Sequence, residues 1–118
     1  MIKIRQLVMV VLLLAQGIFE VLKSANNLEE LEGQIQVLVQ KAAGMLVVEA
    51  LQEIDKKLGS QRDSAELKNI GMRLRTIITG FGEITYRRRM YQNTKTKKYH
   101  FLLDEAMGIE EHRRLSPR

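Results

Sequence analysis

The segment RLRTIITGFGEITYRRRMY, residues 73–91, decides the fold of the second half of this 118-residue chain. Apolar and polar residues alternate in it with the period of two that is typical of β-strands, on both sides of a turn at residues 80–82. Paired glycines supply the positive φ of a tight turn, so the segment predicts a β-hairpin. Residues 93–96 predict a second turn and residues 98–103 a third strand. The sequence therefore predicts a three-stranded antiparallel β-meander over about residues 72–103.

Strand alternation also predicts which side chains of the meander share a face. On the apolar face we expect Ile78 to pair with Ile84 and Leu74 to pair with Arg88. We expect the Arg88 side chain either to stack on Phe101 or to extend past it into solvent. The opposite face then collects four arginines and a lysine: Arg73, Arg75, Arg87, Arg89 and Lys98. Like charges that lie opposite each other destabilise a sheet, and the arginine fork suits phosphate. These five residues are therefore predicted to contact the phosphates of a polyanion, against the alternative of a hydrated basic surface.

The charge of the chain is concentrated in the same half. Residues 72–118 contain eleven basic and five acidic residues, a net charge of +6, whereas residues 1–71 sum to −1. Such asymmetry indicates a polyanionic partner. The absence of cysteine excludes disulfides, thiolate zinc sites and thiol nucleophiles. An apolar fraction of 45% with 28% charged residues is typical of a globular domain.

The N-terminal segment carries a nine-residue apolar run, residues 7–15, behind Lys3 and Arg5. A signal peptide and a membrane helix share these features, but Gln16 and Glu20 interrupt the segment and a membrane span needs about 20 apolar residues. Helical spacing favours a core or interface helix with one apolar stripe: Ile4, Leu7, Val11, Leu14, Ile18 and Leu22. Membrane contact is therefore the alternative and not the expectation.

A second and longer helix is predicted over about residues 28–58. Asn27 and Glu30 have the spacing of an N-terminal capping box, and Gly59 stands where a C-cap is expected. Its apolar stripe suits either an antiparallel pair with the first helix or a coiled-coil dimer. The predicted fold class is α+β: a helical arm over residues 1–58, a linker over residues 59–71 and the basic meander region over residues 72–118.

Two segments carry a resemblance to a known family. LRTIITGFGEITYRRRMY, residues 74–91, and FLLDEAMGI, residues 101–109, resemble the N-terminal part of the ISLre-type bacterial insertion-sequence transposases, long filed as an uncharacterised protein family. The usual family pattern is R-T-(I/V)-x-T-x-F-G-E-(V/I)-x-(F/Y)-x-R-R-x-Y, followed by Y-x-(F/Y)-L-L-D-E-x-L-G-(I/L). This chain departs from it at Gly80 and Met107. The resemblance covers most of residues 28–117.

The resemblance implies a DDE-type transposase that moves DNA by two-metal phosphoryl transfer in a ribonuclease-H-like core. In this family that core lies further along a much longer chain. None of the acidic residues after residue 71 matches a family catalytic position. We therefore expect no catalytic residue, metal site, cofactor or activity in this chain, and a divalent metal such as Mg²⁺ only in the full-length parent.

The end of the chain and the family resemblance together give the functional prediction. Ser116 and Pro117 are typical of a helix start, one residue before the chain ends, which indicates truncation. The prediction is a truncated, cytoplasmic and nucleoid-associated N-terminal part of a transposase that binds DNA and forms homo-oligomers through its helical arm. The alternative is a membrane-tethered or coiled-coil interaction protein without a nucleic-acid role.

Overall fold

The computed structural model describes residues 4–109 and contains two long helices, a three-stranded sheet and a short helix. This order confirms the predicted α+β class with two N-terminal helices and an antiparallel sheet. The predicted helix start at Ser116 lies outside the described residues. The elements are α1 (Ile4–Ser24), α2 (Leu28–Gln61), β1 (Leu67–Thr79), β2 (Gly82–Asn93), β3 (Tyr99–His100) and α3 (Leu102–Met107).

The two long helices form an antiparallel hairpin around a short connection. The Asn27 side chain caps α2 as predicted, because its Oδ1 accepts a hydrogen bond from the Glu30 amide at 2.8 Å. The predicted apolar stripe of α1 is not the side that packs on α2, since Ile4 is 78% exposed and Val11 61% exposed. Packing instead uses Val10, Gly17 and Val21, with Gly17 lying directly against Leu38 of α2.

The linker predicted over residues 59–71 is shorter in the structure. Helix α2 continues to Gln61, and Arg62 is its C-cap. Gly59 does not end the helix: it is a buried helical residue at which an added Cβ would overlap the Tyr91 hydroxyl, so close packing explains its presence. The strand β1 begins at Leu67 because its first residues pair with the end of β2. Only residues 62–66 connect the two elements.

The register of the β1–β2 hairpin differs by one residue from the prediction. Thr79 pairs with Gly82 around a two-residue loop, and the Thr79 hydroxyl donates to the Gly82 carbonyl while accepting from the Phe81 amide. Ile84 therefore pairs with Ile77 and not with Ile78. A shift of one residue moves side chains to the opposite face. The predicted single face of four arginines does not form.

The observed register also changes which residues are buried. Ile77, Ile84 and Tyr86 form the buried face, whereas Leu74 is 67% exposed and Met72 45% exposed, against the prediction. The core cluster joins these strand residues to both helices that pack on the sheet; it comprises Leu51, Ile77, Ile84, Tyr86 and Leu103. The core thus lies between the second half of α2, the hairpin and α3.

A β-bulge interrupts the pairing near the open end of the hairpin. Asn69 pairs with Tyr91 and Met72 pairs with Arg89, so two residues of β1 oppose one residue of β2. Gly71 adopts a φ of 121° there, which glycine tolerates and other residues rarely adopt. Beside this bulge the alternation in β2 changes phase, so that Tyr91 is buried three residues after Arg88.

The third strand is much shorter than predicted. It contains only Tyr99 and His100, which pair with Gln92 and Tyr91, and the segment LLDEAM that follows forms α3. Two acidic residues in the first turn suit the positive end of a helix dipole. Gly108 ends α3 in the left-handed conformation, with a φ of 70°. The predicted strand over residues 101–103 is wrong because these local signals favour a helix.

The outer surface of α1 is strongly apolar. By length and composition alone, α1 and α2 are each long and apolar enough to cross a membrane. The most apolar 18-residue window of α1 has a mean hydropathy of 1.9, and only 6% of it is buried within the protein. One side of α1 therefore lacks a partner within the described chain.

Candidate nucleic-acid interface

The five basic residues predicted to contact DNA separate into two groups in the structure. Arg73, Arg87 and Lys98 are exposed. Arg75 and Arg89 instead form ion pairs with carboxylates of the protein. The structure therefore leaves three of the five cations open to a phosphate, and they lie on different sides of the hairpin and in its neighbouring loop.

Asp104, at the start of α3, organises the first group of ion pairs. Its Oδ2 accepts a hydrogen bond from Arg88 Nε at 2.8 Å and one from Arg75 Nη1 at 2.9 Å. Its Oδ1 accepts a hydrogen bond from the Tyr86 hydroxyl at 2.8 Å. We call these four residues the Asp104 cluster. Each charged side chain in it is less than a tenth exposed, so the cluster belongs to the core.

Further contacts fix the Arg88 side chain within this cluster. Its Nη1 donates to the Arg73 carbonyl at 3.3 Å, and its guanidinium lies 3.8 Å from the centre of the Phe101 ring. The predicted stacking of Arg88 on Phe101 is thus confirmed. Burial and the hydrogen bond to the Asp104 carboxylate raise the pKa of the Tyr86 hydroxyl above its usual value. Tyr86 is therefore a neutral donor and has no role as a base.

A second carboxylate, Asp55 of α2, lies at the edge of β2. Its Oδ2 pairs with Arg89 Nη1 at 2.8 Å, and both oxygens accept from the Arg89 amide at 3.2 Å. One turn earlier, Gln52 Oε1 accepts from the Arg87 amide at 3.1 Å. These side chains satisfy strand amides that no neighbouring strand reaches, which protects the edge from pairing with another chain. Burial raises the pKa of Asp55, although its contacts with Arg89 oppose that shift.

Tyr91 lies beside Asp55 and Gly59 and is fully buried. The Arg62 guanidinium lies 5.0 Å from the centre of its ring and also donates to the Leu67 and Gly59 carbonyls. Within residues 4–109 the Tyr91 hydroxyl finds no hydrogen-bond partner. Burial, and then the negative charge of Asp55, raise the pKa of this hydroxyl. Tyr91 therefore stays protonated and packs as an aromatic group.

The loop between β2 and β3 presents the densest exposed positive charge. Lys95, Lys97 and Lys98 are all exposed in it. The Asn93 side chain orders the loop, because its Oδ1 accepts from the Lys95 and Thr96 amides at 2.9 and 3.0 Å. Lys68 of β1, also exposed, pairs with Gln92 at the same end of the sheet. This arrangement offers cations to a phosphate backbone on an ordered support.

The described residues offer no ligand set for the metal chemistry that the resemblance implies. Within residues 4–109, no group of three or more His, Asp and Glu side chains could hold a metal ion. Asp55 and Asp104 each form an ion pair with arginine and are buried. The metal ions of a two-metal site therefore do not fit in this part of the chain.

Sequence reasoning missed both buried carboxylates. A signal for Asp104 was present, because an LLDE segment opens a helix after a strand that carries Tyr86 and Arg88 two residues apart. A signal for Asp55 was also present, since it lies one turn after Leu51 on the apolar side of α2. An acidic residue on a buried stripe indicates an ion-pair partner. The partner itself could not be identified without the register.

Comparison with known proteins identifies the relatives of this chain. Residues 21–118 match the family described as Uncharacterised protein family (UPF0236). A UPF0236 protein in the vanSb 3′ region of Streptococcus gallolyticus is 29% identical over 100 residues, which are 83% of this chain and 22% of that protein. A UPF0236 protein of Caldanaerobacter subterraneus subsp. tengcongensis is 26% identical over 101 residues, with 84% and 22% covered. No solved structure matches.

These relatives are considerably longer than the chain described. It spans about 22% of the length of the curated relatives it matches, which indicates a segment of a longer protein. Both segments that carry the resemblance, residues 74–91 and 101–109, lie inside the matched region. The chain belongs to the uncharacterised protein family UPF0236.

Proposed function

We propose that this chain is the N-terminal part of an insertion-sequence transposase, in which it contacts the DNA phosphate backbone and self-associates through its helical arm. The family resemblance of residues 74–91 and 101–109 supports the transposase assignment. The observation that carries the DNA role is the exposure of Arg73, Arg87 and Lys98 in a region with a net charge of +6. Contacts of this kind position a protein on DNA without reading its sequence.

The proposed DNA contacts differ from those that the sequence alone suggested. Arg75 and Arg89 are held by Asp104 and Asp55, so their release would break ion pairs to buried carboxylates. Lys95 and Lys97 join Lys98 on the β2–β3 loop. The proposed contacts are therefore this lysine loop, together with Arg73 on one side of the hairpin and Arg87 on the other.

The salt dependence of DNA binding tests this proposal. If Arg87, Lys98 and one further cation of this set neutralise three phosphates, log affinity for duplex DNA should fall with log salt at a slope of about −2.7. We expect Arg87→Ala/Lys98→Ala to reduce that slope by about 1.8 and to weaken all sequences alike. Fluorescence anisotropy with two unrelated duplexes measures both effects.

The matched control removes one positive charge from a lysine that lies far from the sheet. Lys23 is exposed at the end of α1, where it pairs with Glu20, and the sheet packs on the other half of the helical hairpin. Lys23→Ala should leave the slope almost unchanged. Equal slopes for the wild-type protein and the Arg87→Ala/Lys98→Ala variant would remove the DNA-contact proposal.

The proposal assigns no strand cleavage to this chain. In a DDE-type enzyme the acidic residues that hold the metal ions perform that step, and no such group exists among residues 4–109. The purified chain should leave supercoiled plasmid intact with Mg²⁺ or Mn²⁺. Metal-dependent nicking that a single Asp or Glu substitution abolishes would contradict this.

The second candidate function is a membrane-tethered or coiled-coil interaction protein. The apolar outer surface of α1 favours it. Association of the purified chain with vesicles, without any salt-dependent DNA binding, would favour this candidate over the first.

A further inference from the structure

Helix α1 has two apolar sides, and α2 covers only one of them. The covered side is formed by Val10, Leu14, Gly17 and Val21, at spacings of four, three and four. Leu38 of α2 lies directly against Gly17. Because Gly17 has no side chain, the two helices can approach each other closely at this position. Because this side is filled by the hairpin itself, any further partner of α1 must use the other side.

The uncovered side has the spacing of a coiled-coil seam. Its residues recur at four, three, four, three and four, as the core positions of a heptad repeat do. We call them the α1 seam: Ile4, Val8, Val11, Ala15, Ile18 and Leu22. Ile4, Val11 and Leu22 expose 78%, 61% and 64% of their surface. A regular apolar seam of this kind is more stable when it packs against another helix than when it is exposed to water.

The exposed apolar surface of α1 is wider than the seam. Nine large hydrophobic residues of α1 are more than a third exposed; four of them belong to the seam and five lie beside it: Leu7, Met9, Leu12, Leu13 and Phe19. Large contiguous apolar patches on a protein surface mark interaction sites. The apolar surface along the whole of α1 therefore indicates an interface.

We infer that a second copy of this chain covers the α1 seam, with the two α1 helices antiparallel and the two hairpins forming a four-helix bundle. This inference rests on the self-association in the proposed function and specifies its surface and geometry. In the antiparallel arrangement Ile4 lies opposite Leu22 of the partner subunit, Val8 opposite the partner's Ile18, and Val11 opposite the partner's Ala15. Every seam residue then meets an apolar residue.

Packing and charge both favour the antiparallel arrangement. A parallel pair would place Ala15 opposite the partner's Ala15 and leave a void in the seam, which is costly in a close-packed core. The sheet packs on the second half of α2, and this half lies beside the start of α1, where Val10 and Met45 line the same cavity. A parallel pair would bring two basic sheets together, whereas the antiparallel pair places them at opposite ends.

A lipid bilayer is a less suitable partner for this surface than a second copy of the chain. Gln16 and Glu20 are exposed on α1, and Gln36, Gln40 and Lys41 are exposed on the part of α2 that runs beside it. Insertion of the hairpin would bring these polar groups into hydrocarbon, which is expensive for charged side chains. A dimer through the seam leaves them in water. The family match begins at residue 21, so nearly all of α1 lies outside it.

Disulfide cross-linking tests the seam directly, because the chain contains no cysteine. A mixture of the Val11→Cys and Ala15→Cys variants should form a cross-linked heterodimer, since an antiparallel seam places these positions opposite each other within disulfide range. Each variant alone should cross-link much less. Cross-linking of each variant with itself, but not of the mixture, would overturn the antiparallel arrangement.

Sedimentation equilibrium supplies the second measurement. Val11→Glu should weaken the dimer by roughly a hundredfold, because it buries an unpaired charge, while leaving the circular dichroism spectrum unchanged. Val37→Glu is the matched control, since Val37 is 64% exposed on α2 and outside the seam; it should leave the dimer intact.

The other outcomes separate this inference from the proposed function. A dimer that Val11→Glu does not weaken would overturn the seam and leave self-association standing. A monomer at tens of micromolar would overturn both, and a monomer that floats with anionic vesicles would make the membrane the occupant. None of these outcomes changes the salt slope of DNA binding, which tests the DNA contacts alone.

Discussion

Arg88 of β2 and Asp104 of α3 share a hydrogen bond of 2.8 Å inside the core, and this contact joins the two segments that carry the family resemblance. Arg75 of β1 reaches the same carboxylate oxygen. The arginines of the hairpin and the aspartate of the LLDE segment therefore have a shared structural task. Their pattern in the sequence specifies how α3 docks on the sheet, and it does not mark a catalytic site.

Removing the negative charge of the Asp104 cluster should be strongly destabilising. Asp104→Asn removes the carboxylate that pairs with both Arg75 and Arg88, and breaking a buried ion pair by removing one partner typically costs about 3–5 kcal/mol. We expect the urea midpoint of unfolding to fall accordingly. The matched control is Glu105→Gln, which removes the neighbouring, exposed carboxylate that pairs with His100 and should cost about 1 kcal/mol or less. Equal effects of the two variants would refute the structural role of the cluster.

The adjacent arginines of β2 should respond to substitution in opposite ways. Arg88→Ala removes the group that lies between Asp104 and the Phe101 ring, so it should lower the unfolding free energy by several kcal/mol. Arg87→Ala removes an exposed side chain and should change stability by about 0.5 kcal/mol or less. Thermal unfolding by circular dichroism measures both. A more damaging Arg87→Ala variant would contradict the observed register.

The close approach of α2 to β2 at Gly59 gives a double-mutant test. Gly59→Ala places a methyl group against the Tyr91 hydroxyl and should cost about 1–3 kcal/mol, although alanine favours a helix. Tyr91→Phe removes a hydroxyl that has no partner among the described residues, so it should be nearly neutral alone. In the Gly59→Ala/Tyr91→Phe double variant, the absence of the hydroxyl should restore most of the stability that Gly59→Ala loses.

The control for this pair is Gly33→Ala, at an open position in the same helix. Nothing lies within 4 Å of a Cβ there, so alanine should stabilise the protein by about 0.5–1 kcal/mol. If Gly59→Ala stabilises as Gly33→Ala does, then Tyr91 and α2 do not pack as the structure has them.

Local signals were sufficient for the element order and insufficient for the register. The Asn27 cap, the start of the long helix at residue 28 and the hairpin follow from residue types at short spacings, so the sequence predicts them. The hairpin register depends on whether the turn uses two or three residues, and the glycines at positions 80 and 82 suit both choices. That one-residue difference decided which arginines share a face.

The buried carboxylates show why the candidate site was only partly predictable. Charge counts treat Arg75 and Arg89 as free cations, because their partners Asp104 and Asp55 lie 29 and 34 residues away in sequence. Contacts over such separations depend on how α2 and α3 pack on the sheet. The exposed residues Arg73, Arg87 and Lys98 could be identified from the sequence, but their separation onto different sides could not.

The raised pKa of Asp55 predicts an unusual pH dependence of stability. Burial disfavours its charged form in the folded protein, so the folded pKa lies above the ordinary value of 3.8 despite the contact with Arg89. Below pH 3.8 the group is protonated in both states and contributes no pH dependence. Between 3.8 and the folded pKa the folded protein holds more protons than the unfolded chain, so this contribution falls as pH rises. Above the folded pKa it is constant.

The comparison with Asp55→Asn isolates this contribution, because all other titrating groups are common to both proteins. The unfolding free energy of the wild-type protein minus that of the variant should decrease as pH rises from about 3.8 and then level off. Urea unfolding at intervals between pH 3 and pH 7 measures the difference. An increase over this window would mean that the ion pair of Asp55 with Arg89, at 2.8 Å, outweighs burial and lowers the folded pKa. The sign of the slope therefore decides whether desolvation or the ion pair dominates at the junction of α2 and β2.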